Sequence, residues 1–385
     1  MTLSPIDAFG FQIPRNLKFG RGIARSMVSD IAAYGKRIVL VHGADASRSA
    51  WLREALQGAG ATVLSASCTN EPDLDALNAA LGELRGQEFD AVVMLGGGSV
   101  LDFGKALAAL LPAGTDPLQH LEVVGQGLPL PAKPLPSVAI PTTAGTGAEM
   151  TKNAVIAVPD RRVKVSLRDV DMIPDLAIVD PALTDGCPKS VTLAAGLDAV
   201  TQVIEPYLCS APNPFTDALC QTAIPRGLAA VVRLMEQEDE AARDNLALCS
   251  VIGGISLANS GLGAVHGFAG PLGGWTGGAH GAICGTLLPH VLAANEGLVS
   301  DAAKPRFNWV REQIADALGC DAHKAFGELA NWIRQQGLPT LADMGLVAED
   351  FPVVARQAMQ SSSMRKNPVD LSEGDLVDIL TKATQ

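Results

Sequence analysis

The sequence is poor in aromatic and charged residues. Across 385 residues only 4% are aromatic and 18% charged, against 48% hydrophobic. So little charge and so much apolar content exclude a disordered chain. Basic residues are scarce in particular. Lys plus Arg number 29 against 41 Asp plus Glu, a net charge of −12. The densest basic cluster, Arg161, Arg162 and Lys164, sits beside Asp160. An acidic chain with no basic stripe holds phosphate backbones poorly, so nucleic acid is not an expected partner. The 39 Gly and 24 Pro follow no triplet period, which excludes collagen. There is no C-x-x-C pair. The seven Cys are odd in number and several lie in apolar runs. They read as buried free thiols of a reducing compartment, hence a cytoplasmic protein. The first twenty residues lack a basic segment followed by an apolar one, so no signal peptide is expected.

One stretch, 245–295, contains no Asp, Glu, Lys or Arg. A membrane-spanning helix needs about 20 predominantly apolar residues. Here Pro271, Gly273–Gly274 and Gly277–Gly278 interrupt the run. The expectation is short helices and tight loops inside a packed core, with no membrane partner. His266 and His280 stand out in that setting.

The chain divides near Asp180-Pro181. Before it, short apolar runs alternate with amphipathic segments. Strands are expected at 37–42, 61–65, 91–95, 137–140 and 177–179, with helices at 47–58, 73–85 and from the GGGS turn to 111. Alternation of this kind implies parallel pairing in a doubly wound, Rossmann-like sheet. After it, long helical patterns take over at 190–209, 214–237, 240–260, 281–296, 301–318, 324–336 and 372–384. The fold class is therefore α/β, an N-terminal parallel-sheet dinucleotide domain (1–181) followed by an all-α metal and substrate domain (182–385).

Gly96, Gly97, Gly98 and Ser99 lie between a buried strand and a helix. Glycines admit a ligand close to the backbone, and a helix N-terminus offers free N–H groups to an anionic phosphate. The run is not G-x-G-x-x-G, and a plain strand-to-helix turn explains it equally well. A second loop, PTTAGTGAE at 141–149, brings the hydroxyls of Thr142, Thr143 and Thr146 to the end of another strand, where open α/β sheets bind ligands. Alone it reads as a Thr-rich helix cap. Two such loops on one sheet edge favour a nucleotide site.

Asp198 and Gln202 are four apart, on one helix face. With His266 and His280 they make four oxygen or nitrogen donors in an uncharged region, a set suited to Fe(II), Zn(II) or Mn(II). Singly, each His reads as a hydrogen-bonded core imidazole, and Asp198 as a surface acid.

With those residues in view, the chain resembles the iron-dependent (group III) alcohol dehydrogenase family. The resemblance runs from Phe19-Gly20 through GGGSVLDFGK (96–105), PTTAGTGAEMT (141–151), Asp180-Pro181 and GLDA (196–199). It continues through VHG (265–267), AHG (279–281) and LPH (288–290) to Asn367-Pro368. It implies a two-domain NAD- or NADP-linked enzyme interconverting a small alcohol and a carbonyl, with a metal (Fe or Zn) held by one Asp and three His. Asp198, His266 and His280 match three ligand positions, and are implied as the catalytic set. Gly96, Gly97, Gly98 and Ser99 match the pyrophosphate loop. Gly43, Asp102, Thr142, Thr143, Thr146, Asn153 and Lys164 fall at positions lining the cofactor cleft. Relatives form dimers or larger homo-oligomers, and an edge strand near 9–19 is a candidate contact.

Three departures matter. Gln202 stands at the family's first His ligand, a weaker neutral donor. Gly270 stands where relatives often carry a proton-moving His. The first strand ends His42-Gly43, without the acid that favours NAD. Arg48 there favours tolerance of NADP, while Asp45 opposes it. Two rival readings follow: a metal-free reductase of the maleylacetate reductase type, and a cofactor-binding protein without turnover. The 255–280 region has no Lys or Arg to hold a dicarboxylate. Phe268, Trp275 and Cys284 are candidates for shaping the substrate pocket.

Overall fold

The apolar runs of the first half become a sheet. The computed structural model describes residues 8–385, so the signal-peptide reading rests partly on residues outside it. The strands are β1 (Asn16–Phe19), β2 (Arg37–His42), β3 (Thr62–Ser67), β4 (Ala91–Gly96), β5 (Ser137–Pro141), β6 (Asn153–Val158), β7 (Val163–Arg168) and β8 (Leu176–Val179). Six form one sheet in the order β1-β8-β5-β4-β2-β3, every neighbour parallel. The helices of this half are α1 (Val28–Ala32), α2 (Ala50–Gly58), α3 (Leu74–Leu84) and α4 (Gly98–Ala113).

Alternate residues of each central strand feed opposite faces, as period-two geometry requires. Val39 and Val41 of β2 join Val92 and Met94 of β4 in one core cluster. Ile38 and Leu40 join Val93 and Leu95 in the other. Burial on both faces is why these strands read as unbroken apolar runs. The order reverses between β2 and β4, where open α/β sheets hold their ligands at the strand carboxyl ends.

Asp180, at the boundary, is 4% exposed. Its carboxylate accepts the N–H of Gly22, Ala24 and Ala182 at 2.7, 2.9 and 3.0 Å. It thereby fastens the loop after β1 to the end of β8, a structural use for two motifs of the sequence.

The hairpin β6–β7 was not expected. Arg161, Arg162 and Lys164 read as a basic cluster, yet Val163, Val165 and Leu167 alternate inward onto the core beside α4. The short β1 lies at the sheet edge and, among the described residues, pairs only with β8.

Nine helices follow among the described residues: α5 (Lys189–Leu208), α6 (Pro214–Glu236), α7 (Glu240–Asn259), α8 (Ala264–Thr276), α9 (His280–Leu298), α10 (Lys304–Leu318), α11 (Ala325–Gln335), α12 (Phe351–Met359) and α13 (Glu373–Ala383). They share one apolar cluster, which also takes in Ala177 and Val179 of β8. Among the described residues, no single helix is long and apolar enough to cross a membrane. The pair α7 and α8 passes by length and composition only together, and it bends by 97°.

The expected breaks at Pro271 and Gly273–Gly274 are corrected by the structure. Helix α8 runs through all three and stops at Gly277, at φ 65°. Tertiary packing overrides weak propensity here. The β7 hairpin lies so close that a Cβ on Gly274 would stand 2.1 Å from the Arg162 carbonyl oxygen, and one on Gly273 2.8 Å from Lys164 Nζ. The glycines serve that approach.

Candidate active site

Helix α5 presents Asp198, Gln202 and Glu205 on one face, at spacings of four and three. All three are buried, at 1%, 2% and 6% exposed. Buried polar groups of this kind are costly without partners. Glu205 has them. It accepts the backbone N–H of Val265 at 2.7 Å and of His266 at 3.4 Å. It thus caps α8, which has no side-chain cap of its own at Gly263. A Cβ on Gly263 would lie 2.8 Å from Glu205 Oε1, so glycine is needed there. Asn367 completes the cap by accepting from Ala264 N–H at 3.1 Å, and it exchanges two amide bonds with Asn295.

The same carboxylate lies 2.7 Å from His266 Nδ1. That ring atom is the donor, because ionised Glu205 can only accept. His266 Nε2 is left facing Asp198 Oδ1 at 3.4 Å. A carboxylate behind a histidine is the usual way to orient a metal ligand.

His280, the first residue of α9, places Nε2 3.7 Å from Asp198 Oδ1. One turn on, Cys284 Sγ lies 3.8 Å from His266 Nε2 and 3.7 Å from His280 Nε2. Asp198, His266, His280 and Cys284 each offer a ligand atom within 4.8 Å of the others. Among the described residues, two atoms here are buried without any hydrogen-bond partner, Asp198 Oδ1 and Gln202 Oε1. Unpartnered buried acceptors facing two imidazoles fit a divalent cation.

The charges agree. Burial opposes charge on both imidazoles. Even so, Cys284, Asp198 and Glu205 hold His266 well above its ordinary value. Cys284 and Asp198 likewise lift His280 to about 9. Burial also opposes charge on Asp198, yet His280, His266 and Gln202 hold its carboxyl below the ordinary range. The pocket is built around a negative charge that attracts cations.

At the sheet edge, β4 runs into Gly97, and α4 begins at Gly98 with no side-chain cap. Its first N–H groups therefore remain available to an anion. The glycines are dictated by the neighbouring loop. A Cβ on Gly98 would meet Thr146 Oγ1 at 2.6 Å, and one on Gly97 would meet Thr143 Oγ1 at 3.3 Å. Thr142 N–H bonds the Gly96 carbonyl at 2.9 Å, so the two loops form one surface. Gly147, at φ 56°, docks on α7, its N–H donating to Ser250 Oγ at 3.2 Å. At the end of β2, a Cβ on Gly43 would have nothing nearer than Val100 Cγ2 at 4.0 Å, leaving room above the strand.

The remaining cleft candidates already have partners. Asp102 accepts from Val155 N–H at 3.0 Å and pairs with the buried Lys105 at 3.0 Å. Lys105, unremarked in the sequence, also donates to the carbonyls of Ala148 and Asn153. Lys164 pairs with Glu71 and lies along α8. Asn153 begins β6 beside them. Phe268 is fully buried in the helical core, while Trp275 donates to Gln357 at 2.9 Å.

Glu205 escaped the sequence reading. It follows Gln202 by three and Asp198 by seven, the signal that would have found it. Cys284 was expected to shape the substrate pocket, and the structure instead sets its sulfur beside the two imidazoles.

Comparison with known proteins agrees. Residues 14–181 match the model of iron-containing alcohol dehydrogenase, and 192–384 that of the C-terminal part of the Fe-containing alcohol dehydrogenase family. Alcohol dehydrogenase 4 of Saccharomyces cerevisiae (strain YJM789) is 32% identical over 384 residues, covering 97% of this chain and 98% of its own. The 1,3-propanediol dehydrogenase of Klebsiella pneumoniae is 33% identical over 312 residues, 79% of this chain and 78% of its own. A crystal structure of 1,3-propanediol oxidoreductase superposes with TM-score 0.84 at 27% identity, covering 98% of this chain and 100% of that one. This chain therefore belongs to the iron-containing alcohol dehydrogenase family and is an oxidoreductase of the alcohol dehydrogenase and aldehyde reductase class.

Proposed function

We propose that this chain interconverts a small alcohol and its aldehyde or ketone, with NAD(P) carrying the hydride and with Asp198, His266 and His280 holding a divalent metal. Enzymes of the family use NAD(P) and iron. The observation that carries the metal reading is the buried, unpartnered Asp198 Oδ1 beside two imidazole Nε2 atoms. A divalent cation held there supplies Lewis-acid polarisation of the substrate oxygen. Glu205 fixes the His266 ring so that Nε2 is the atom presented. Gln202 is the fourth donor that the helix spacing offers. His280, with 34% of its side chain exposed, marks the open side of the pocket. Gly270 provides no side chain to move a proton, so proton exchange falls to solvent on that side.

The glycine loop, the α4 N-terminus and the Thr loop form the pyrophosphate surface of the 1–181 domain. Residues 182–385 form the metal and substrate domain. Asp45 is occupied by Ser47, which donates through N–H and hydroxyl at 3.0 and 2.6 Å. Arg48, 87% exposed, pairs with Asp45 at 3.6 Å and stays open to solvent, so it can also meet a 2′-phosphate, which supports use of NADP as well as NAD. The free state of all seven cysteines supports a cytoplasmic setting. The exposed β1 edge, with Leu17 and Phe19 at 39% and 40% exposure, supports pairing between subunits.

The test is aldehyde reduction with NADH and NADPH by enzyme of measured metal content, before and after chelation. Asp198→Ala and His266→Ala are expected to abolish turnover while cofactor affinity survives. Turnover indifferent to chelation overturns the metal reading in favour of a metal-free reductase of the maleylacetate type. Cofactor binding without turnover on any carbonyl leaves a binding protein.

A further inference from the structure

Helix spacing offers Gln202 as a fourth donor, but the distances in the cluster point elsewhere. A tetrahedral centre with bonds of about 2.0–2.3 Å sets neighbouring donors about 3.3–3.8 Å apart. Four separations in the cluster meet that range. They are His266 Nε2 to Asp198 Oδ1 at 3.4 Å, His280 Nε2 to Asp198 Oδ1 at 3.7 Å, and Cys284 Sγ to the two imidazoles at 3.7 and 3.8 Å. The sulfur spans both histidines, as a ligand on the same ion must.

The other buried cysteines behave differently. Cys68, Cys209 and Cys249 each point the thiol at a backbone carbonyl, and Cys220 points it at the Ser256 hydroxyl. Those are ordinary satisfied core thiols. The polar contacts of Cys284 Sγ are instead the two Nε2 atoms that converge on Asp198. Helix geometry explains its place, because His280 and Cys284 are one turn apart on α9 and share a face. Gln202 approaches from α5 with a neutral amide oxygen.

We propose that Cys284 is a thiolate ligand of the metal centre, taking the place that Gln202 leaves weak and giving this chain an Asp198–His266–His280–Cys284 donor set. The proposal rests on the metal reading above. Coordination replaces the S–H bond by a metal–sulfur bond, and the thiol proton leaves to solvent. A thiolate softens an otherwise nitrogen and oxygen site. Soft ligands select zinc, whereas Mn(II) prefers oxygen donors. This chain is therefore tuned toward Zn(II) and Co(II) within a family described as iron-containing.

The experiment is Co(II) and Zn(II) loading of the full chain after chelation. The Co(II) protein is expected to show visible ligand-field bands together with a near-ultraviolet sulfur-to-cobalt charge-transfer band. X-ray absorption on the Zn(II) protein is expected to show a sulfur scatterer at about 2.3 Å. Cys284→Ser should abolish both sulfur signals. It should weaken Zn(II) at least about 100-fold, the upper end of what merely supporting residues cost, and leave Mn(II) within severalfold. A structural role would weaken both metals alike. The double variant Gln202→His/Cys284→Ala is expected to recover Zn(II) binding without any sulfur signal. Ligand-field bands with no charge-transfer band and no sulfur scatterer in the unsubstituted protein overturn the Cys284 assignment and leave the metal reading standing. Failure to take up Co(II) or Zn(II) at all overturns both.

Discussion

Replacing Glu205 by Gln tests how the centre is oriented. The carboxylate accepts three bonds, from Val265 N–H at 2.7 Å, His266 N–H at 3.4 Å and His266 Nδ1 at 2.7 Å. Glutamine keeps one oxygen, which can stay on Val265. Its other terminal atom becomes an NH2 donor. That donor faces His266 Nδ1, so the ring must shift its proton to Nε2. The Nε2 lone pair aimed at the pocket is then replaced by an N–H aimed at Asp198. Supporting residues behind metal-bound histidines cost 10–100-fold in affinity, and loss of the right tautomer belongs at the top of that range. The expected result is about a 100-fold weaker Zn(II) affinity, near 3 kcal/mol. The metal-free fold should lose less, because Nε2–H keeps Asp198 as its acceptor. Glu205→Ala should instead destabilise the metal-free protein by about 2–4 kcal/mol, since the α8 N–H groups lose their cap. Competition titration with a chromophoric chelator reads the first effect and urea unfolding the second. Zn(II) affinity in Glu205→Gln within about threefold of the parent would refute the argument that Glu205 sets the His266 tautomer.

Other consequences follow from the same geometry. Gly98→Ala places a methyl 2.6 Å from Thr146 Oγ1 and is expected to raise the KM for NAD(P)H about tenfold or more with kcat little changed. An unchanged KM would remove this loop from the cofactor surface. Gly274→Ala puts a methyl 2.1 Å from the Arg162 carbonyl oxygen, and the backbone cannot yield as a side chain would. Denaturant unfolding should register a loss of at least about 1–3 kcal/mol, and parent-like stability would contradict the close packing of α8 on the hairpin. Burial pushes the Glu149 carboxyl from 4.5 to about 7. The folded state then holds a proton that the unfolded state releases above 4.5. Its stabilising contribution is full below that pH and is lost as pH rises through 7. Glu149→Gln, which cannot ionise, should gain up to about 3 kcal/mol on the parent between pH 5 and pH 8. An advantage equal at both pH values would contradict the neutral buried acid.

Much of the site was legible because polar residues stood out against an apolar background. His266 and His280 lie in 245–295, which holds no Asp, Glu, Lys or Arg. Asp198 and Gln202 shared a predicted helix face. Glu205 was illegible, because a glutamate on a helix resembles any solvated acid until the helix is known to be buried. Cys284 read as a pocket-lining residue, and its place among the donors was illegible until its neighbours were known. The hairpin was hidden too, since its inward valines alternate with a basic cluster. Continuous α8 was hidden by Pro271 and its glycines, which count against a helix until the strand packed against them is seen.

By itself the sequence determined the class of fold. Strands buried on both faces must be apolar throughout, and the amphipathic segments between them must cross over as helices. It also determined the glycine and threonine loops that share one edge, because only small residues allow backbones to approach so closely. Only the tertiary structure decided the cluster of donors proposed to hold the metal. Glu205 and His266 are 61 positions apart, and no local rule relates them. The packing of α5, α8 and α9 brings their buried polar atoms to one point. There the low dielectric makes an unpartnered carboxylate oxygen costly. Convergence of these donors is a property of that packing and not of any segment.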